Sequence, residues 1–186
     1  QSEAALSLPF LDTPLINDDH VPDQQRALVS RFGGVDETSF ASAYPFAHID
    51  YAHAAWPVDV RLEAFSPYIA LDSQDSSIPA AVFTFTIRNA GPAPVWGALG
   101  ATLKNTVGWD TISPIEGNAN PGFGGNVNSV DREGARTSLV MENPSLPWND
   151  AHRGQLALST MSEDVIPLPY WNDAGEFIGS LERLDL

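Results

Sequence analysis

Two short polar clusters hold the residue types from which binding or catalysis could be built. The first is Leu71-Asp72-Ser73-Gln74-Asp75-Ser76-Ser77. Asp72, Asp75 and Ser76 can cap a turn by bonding the local backbone. The same oxygens could instead contribute to a calcium-like cage or a domain-contact loop. A calcium loop supplies more acids at alternating positions than these, which favours the structural turn. The second cluster is Gly108-Trp109-Asp110, followed by Asn118, Asn120 and Pro121-Gly122-Phe123-Gly124-Gly125-Asn126. Aromatic rings stack on the C–H faces of sugars, and amides and carboxylates bind hydroxyls. Trp109, Asp110, Asn118, Asn120, Phe123 and Asn126 are therefore candidates for a sugar-contact or domain-contact loop. A long structured loop covering a sheet edge uses the same residues equally well.

Other chemistries find less support. The chain has 24 acidic residues, so some pair will fall at the roughly 5–9.5 Å needed for glycoside hydrolysis, yet no spacing singles one out. There is no Gly-x-Ser-x-Gly elbow for a nucleophilic serine. The histidines, His20, His48, His53 and His152, form no His-Glu-x-x-His pattern, and a metal site is not expected. Gly122-Phe123-Gly124-Gly125 lacks the lysine and following helix of a phosphate loop. With no cysteine, thiolate metal sites, disulfides and cysteine nucleophiles are excluded. The sequence thus nominates no catalytic residue and no cofactor.

Charge narrows the partners. A net charge of −15 repels phosphate backbones and anionic membrane surfaces, so nucleic acid is not an expected partner. No segment approaches the ~18 consecutive apolar residues of a membrane span. Residues 1–11 lack the basic start and compact apolar block of a signal peptide, and a secreted chain after cleavage would look the same. A soluble protein is expected, in the cytoplasm or secreted.

The elements that must position these clusters are short. Fifteen prolines and fourteen glycines in 186 residues imply many turns, while 43% apolar content suffices for a core. Residues 1–44 read as an irregular N-terminal segment with a short helix over 23–31. Strands are expected over 46–51, 58–63, 80–88, 95–103, 127–130, 137–141 and 156–161. In 58–63, Val58, Val60 and Leu62 alternate with Asp59, Arg61 and Glu63, the period of a half-buried strand. The turn Asn89-Ala90-Gly91-Pro92 suggests that 80–88 and 95–103 form a hairpin. A helix over 173–184 would present Phe177, Ile178 and Leu181 on one face. The whole reads as one all-β domain over 1–186: an antiparallel β-sandwich with long loops and a short C-terminal helix.

Several motifs in order also resemble a known family. They are Leu62-Glu63-Ala64-Phe65-Ser66-Pro67-Tyr68-Ile69, Asp75-Ser76-Ser77-Ile78-Pro79, Phe85-Thr86-Ile87-Arg88-Asn89, Val107-Gly108-Trp109-Asp110, Gly122-Phe123-Gly124-Gly125-Asn126 and Asn143-Pro144-Ser145-Leu146-Pro147. Across roughly 45–172 the chain is similar to the N-terminal domain of family 116 glycoside hydrolases, which include non-lysosomal glucosylceramidases (bile-acid β-glucosidases). The resemblance implies a β-sandwich that packs on an (α/α)6 helical barrel. That barrel holds a glutamate nucleophile and an aspartate acid/base for retaining hydrolysis. No position here matches either catalytic motif, and the chain stops before the barrel. The helix over 173–184 resembles the linker into it, and its apolar face would want a partner. The family's glycine-rich opening is not visible in 1–37.

Two functions follow. The first is a non-catalytic sandwich supporting a separate helical-barrel domain or chain. The second is a stand-alone carbohydrate-binding module using the Trp109–Asn126 loop. A self-contained hydrolase would need two sandwich carboxylates that nothing in the spacing selects.

Overall fold

The computed structural model describes residues 34–109, 124–172 and 174–183, together with Ala27 and Ser30. Among the described residues the fold is mostly β: two antiparallel sheets, with short helices over 73–76 and 174–182 and long connecting loops, the content expected of a β-sandwich. The chain divides into two compact units, one containing 29–98 and the other 99–185.

The first unit holds a four-stranded meander in the order β1 (Glu37–Ala43), β2 (Phe46–Ala52), β3 (Val58–Phe65) and β4 (Val82–Asn89). Its register places Phe40 opposite Ile49, Ile49 opposite Leu62, and Leu62 opposite Phe85. Residues directly opposite one another share a face. One face is therefore apolar, with Tyr51, Val60 and Ile87 in the neighbouring row.

The other face carries polar and charged partners in register. Asp50 faces Arg61, Asp59 faces Arg88, and His48 faces Glu63. Arg61 grips Asp50 with two bonds, Nε to Oδ1 at 2.6 Å and Nη2 to Oδ2 at 3.1 Å. Arg88 donates to Asp59, and His48 Nδ1 lies 3.4 Å from Glu63 Oε1. A one-residue slip would exchange the two faces and break every pair, so patterning and charge fix the same register.

The second unit holds β5 (Val127–Glu133), β6 (Arg136–Glu142) and β7 (Gln155–Thr160), again antiparallel and in sequence order. Val130, Leu139, Met141, Leu156 and Leu158 share its apolar face. Met141 is 2% exposed. On the opposite face Ser138, almost fully buried, bonds Ser159 directly across the ladder, Oγ to Oγ at 2.8 Å.

Helix α1 (Ser73–Ser76) is a single turn following β3, and α2 (Ala174–Glu182) closes the described chain. Ile178 in α2 is buried. The apolar face of α2 packs on the loop around Gly100. A Cβ added to Gly100 would lie 2.8 Å from Leu181 Cδ1 and 3.0 Å from Phe177 Cζ. Trp171 covers Phe177 from a second side, ring centroids 5.8 Å apart.

Two expectations need correction. Residues 95–103 form no strand, and β4 pairs with β3 instead of with them. The Asn89 turn is real, since Asn89 Oδ1 accepts from Gly91 N and Nδ2 donates to Ala93 O. It turns the chain but leads into the loop that seats α2. Conversely, β1 lies inside the segment expected to be irregular. Its small and polar residues, Glu37-Thr38-Ser39-Phe40-Ala41-Ser42-Ala43, conceal a strand that pairs through its backbone. The helix expected over 23–31 lies outside the described residues except at Ala27 and Ser30.

Candidate functional site

The 71–77 cluster builds its own turn. Asp72 caps α1, its Oδ1 accepting from Asp75 N at 3.0 Å. Ser76 Oγ accepts from Ile69 N and donates to Ile69 O, at 2.9 and 3.0 Å, tying α1 back to the preceding chain. Asp72 N bonds the same carbonyl. The geometry is that of a capped turn, with Asp75 contributing its backbone N–H and the favourable charge of an acid in the first turn. Leu71, just before the cap, has φ +66° and is fully exposed.

The second cluster is only partly described. Asp110, Asn118, Asn120 and Phe123 lie outside the described residues. Trp109, half-buried, ends a tight turn in which its N–H reaches Thr106 O at 3.1 Å, with Gly108 at φ +92°. Only glycine adopts that conformation without penalty. Asn126 sits on the returning side of the loop and staples it to the outgoing side. Its Nδ2 donates to Val107 O at 2.8 Å and to Asn105 Oδ1 at 3.0 Å. Both amide protons are used internally, so Asn126 offers a ligand no donor.

These bonds belong to a larger lattice of four asparagines. Asn128 Nδ2 donates to Pro169 O at 2.7 Å, and its Oδ1 accepts from Asn105 Nδ2 at 2.8 Å. Asn105 Oδ1 in turn accepts from Asn126 Nδ2 and from Val107 N. Asn126 Oδ1 accepts from Asn143 Nδ2 at 3.5 Å, and Asn143 Oδ1 accepts from Ser145 N at 3.2 Å and from Ser145 Oγ. The carboxamides thus run head to tail, an arrangement in which each dipole polarises the next. Asn143 is 2% exposed, where an unpaired amide would be costly.

The lattice also reads the end of the second sheet. Asn105 Nδ2 lies 3.2 Å from both Val127 O and Glu142 O, carbonyls of a register pair. Ser145 Oγ reaches Gly124 O at 3.0 Å. Three sequence motifs far apart in the chain, around Val107, Gly124 and Asn143, are therefore one structural unit. Sequence reasoning named Asn126 but missed Asn105 and Asn128, whose only signal is their residue type. Lys104, beside Asn105, has its ammonium pushed below its usual range by partial burial.

Beside this lattice is an open cleft of about 340 Å³ lined by Glu142, Asn143, Pro144, Arg153, Gly154 and Gln155. Glu142 and Gln155 are register partners, and Gln155 Nε2 donates to Glu142 Oε2 at 3.1 Å. Arg153 Nη1 donates to Leu146 O at 3.0 Å, closing the loop between β6 and β7.

The described histidines, His48, His53 and His152, are engaged by neighbours. His53 stacks on Trp56, and His152 Nδ1 lies 3.1 Å from Asp150 Oδ1. The backbone N–H of His152, followed by its side chain, holds the Asp150 carboxyl below its ordinary range. Among the described residues, no group of three or more histidines and carboxylates is placed to hold a metal ion. No helix among them is long and apolar enough to cross a membrane.

No curated protein matches the sequence. A family model described as beta-glucosidase 2, glycosyl-hydrolase family 116 N-term, matches residues 11–183. That match runs through the meander, the asparagine lattice and α2 alike, and the chain belongs to the N-terminal domain family of glycosyl-hydrolase family 116.

Proposed function

We propose that residues 1–186 act as a single non-catalytic β domain that supports a separate (α/α)6 helical domain of a β-glucosidase of the glucosylceramidase type. The match to an N-terminal domain over 11–183 carries this reading. The glutamate nucleophile and aspartate acid/base belong to the helical domain, and this chain contributes shape and support.

The setting of the paired carboxylates is consistent with that division. Asp50, Asp59, Asp131 and Glu133 each face an arginine on an exposed surface. Hydrogen bonding to Arg61 holds Asp50 below the usual carboxylate range. A glycosidic general acid needs the reverse, a carboxyl raised by burial or by a neighbouring anion.

The test mixes the chain with a separately produced helical domain. A one-to-one complex should form, with hydrolysis of an aryl β-glucoside appearing only when the helical domain is present. Turnover by this chain alone, abolished by a single carboxylate substitution, would overturn the proposal.

A further inference from the structure

We infer that β4 is a homodimerisation edge: it pairs antiparallel with β4 of a second copy, joining two four-stranded sheets edge to edge across a two-fold axis. The inference stands independently of the supporting role proposed above.

The direction of the β4 backbone groups follows from one bond. Ala90 N donates to Pro57 O at 2.9 Å, and these two residues continue the β3–β4 register beyond the pair Val58 and Asn89. Hydrogen-bonded and non-hydrogen-bonded pairs alternate along an antiparallel ladder. Arg88, Thr86, Thr84 and Val82 therefore bond toward β3, while Phe83, Phe85 and Ile87 turn their N–H and C=O groups outward. β4 has no second neighbour in its sheet, and among the described residues no bond reaches those outward groups. The side chains are open as well: Phe83 is 61% exposed, Ile87 54% and Phe85 38%. A long apolar edge with open backbone groups is a template for a further strand.

The sequence of β4 complements itself when run backwards, which selects a second copy as the occupant. With the two-fold axis at Phe85, Phe85 faces the partner's Phe85 and Phe83 faces the partner's Ile87. Each is then a hydrogen-bonded pair that exchanges both N–H···O bonds, and none of the three residues keeps an open group. Opposite residues project to the same face, so the two copies build one continuous apolar row. On the other face Thr84 meets the partner's Thr86, and Arg88 meets the partner's Val82. No acid lies on β4, and its one charge, Arg88, is held by Asp59 at 3.0 Å within its own sheet. β1, at the opposite edge, carries a single bulky apolar side chain, Phe40, and gives self-pairing little to bury. An isologous β4 contact uses the same edge on both copies and closes at a dimer. The net charge of −15 repels a second copy at long range, so the association should tighten as salt screens it.

The experiment is sedimentation of the 186-residue chain over about 1–500 µM, with amide hydrogen exchange at both ends of that range. A monomer–dimer equilibrium is expected, strengthened by salt, with exchange at Phe83, Phe85 and Ile87 slowed at least about tenfold in the dimer. Two double variants at exposed positions test the register. Thr84→Lys with Thr86→Lys sets lysines against each other across the axis and should weaken the dimer at least about tenfold. Thr84→Lys with Thr86→Glu sets lysine against glutamate and should keep it, both variants matching the parent in far-ultraviolet circular dichroism. A chain that stays monomeric throughout overturns the inference, as does a dimer whose affinity the two double variants change alike. A dimer that protects 95–103 in place of the β4 amides overturns it too, and makes the association an exchange of that segment between copies.

Discussion

Gly125 and Ser145 touch so closely that no side chain fits between them. A Cβ on Gly125 would lie 2.6 Å from Ser145 Oγ and 2.9 Å from Ser145 Cβ. Gly125 also has φ +72°, in the left-handed region. Both facts argue that the loop returns to the sheet here because residue 125 is glycine. Gly125→Ala should therefore cost about 1–3 kcal/mol from backbone strain and the displaced Ser145 hydroxyl. Urea unfolding monitored by tryptophan fluorescence measures it. A cost no larger than that of Gly134→Ala, where φ is +57° but nothing lies within 4 Å, would show that the contact itself is immaterial.

Asn105 is the centre of the asparagine lattice, donating toward Asn128, Val127 and Glu142 while accepting from Val107 and Asn126. Asn105→Ala strands several part-buried groups at once and should cost about 2–4 kcal/mol. Asn105→Asp keeps the shape but replaces donors by acceptors facing two carbonyls, and it should be at least as damaging. If Asp were tolerated and Ala were not, packing rather than hydrogen bonding would be the role of this residue.

What could be read from the sequence divides along physical lines. The Val58–Leu62 alternation identified β3 and its inward face because period-2 patterning is a local signal, and Leu62 is indeed buried at 9% exposure. The turn at Asn89 is equally local, but whether the chain after it adds a strand beside β4 is a long-range matter, and 95–103 forms none, leaving β4 paired with β3 alone among the described residues. Phe40 alone could not announce β1, whose other residues are small or polar. The asparagine lattice was beyond reach for a similar reason. Asn105, Asn126 and Asn143 follow no period, and they meet only because β5 and β6 pair in one register. Composition nominates Asn126 for a sugar-contact or domain-contact loop, and its side-chain N–H groups are bonded within the fold.

Gly100 decides how α2 sits. With Leu181 Cδ1 2.8 Å and Phe177 Cζ 3.0 Å from where its Cβ would be, Gly100→Val must push the helix away. The expected loss is about 1–3 kcal/mol, accompanied by faster hydrogen exchange across 174–182. Strands β5–β7 should keep their protection. Uniform loss of protection across the second unit would mean that the helix is integral to that sheet's stability.

Leu71 offers a stabilising change. Its φ of +66° costs a leucine about 1 kcal/mol, and its side chain, fully exposed, contributes no packing in return. Asparagine tolerates that conformation, so Leu71→Asn should raise stability by about 0.5–1 kcal/mol. A lower urea midpoint for the variant would show that Leu71 makes an apolar contact in the protein's working state.

The Asp50–Arg61 pair gives stability a defined pH dependence. Hydrogen bonds from Arg61 lower the Asp50 pKa, opposed in part by desolvation and helped less by the Arg61 and His48 charges. The same pair raises that of Arg61. A carboxyl whose folded pKa lies below its unfolded value binds fewer protons when folded. Its contribution is complete above the unfolded value and disappears as pH falls through the folded one. Asp50→Asn should therefore lower the unfolding midpoint near neutral pH, and its gap to the parent chain should close as pH falls through the lowered folded pKa of Asp50. Because both side chains are more than half exposed, the gap should also narrow with added salt. Arg61→Gln should behave alike over the acidic range, since either change removes the same pair. A gap that persists unchanged in acid and in high salt would place the role of Asp50 in the geometry of the β2–β3 ladder, independent of its charge.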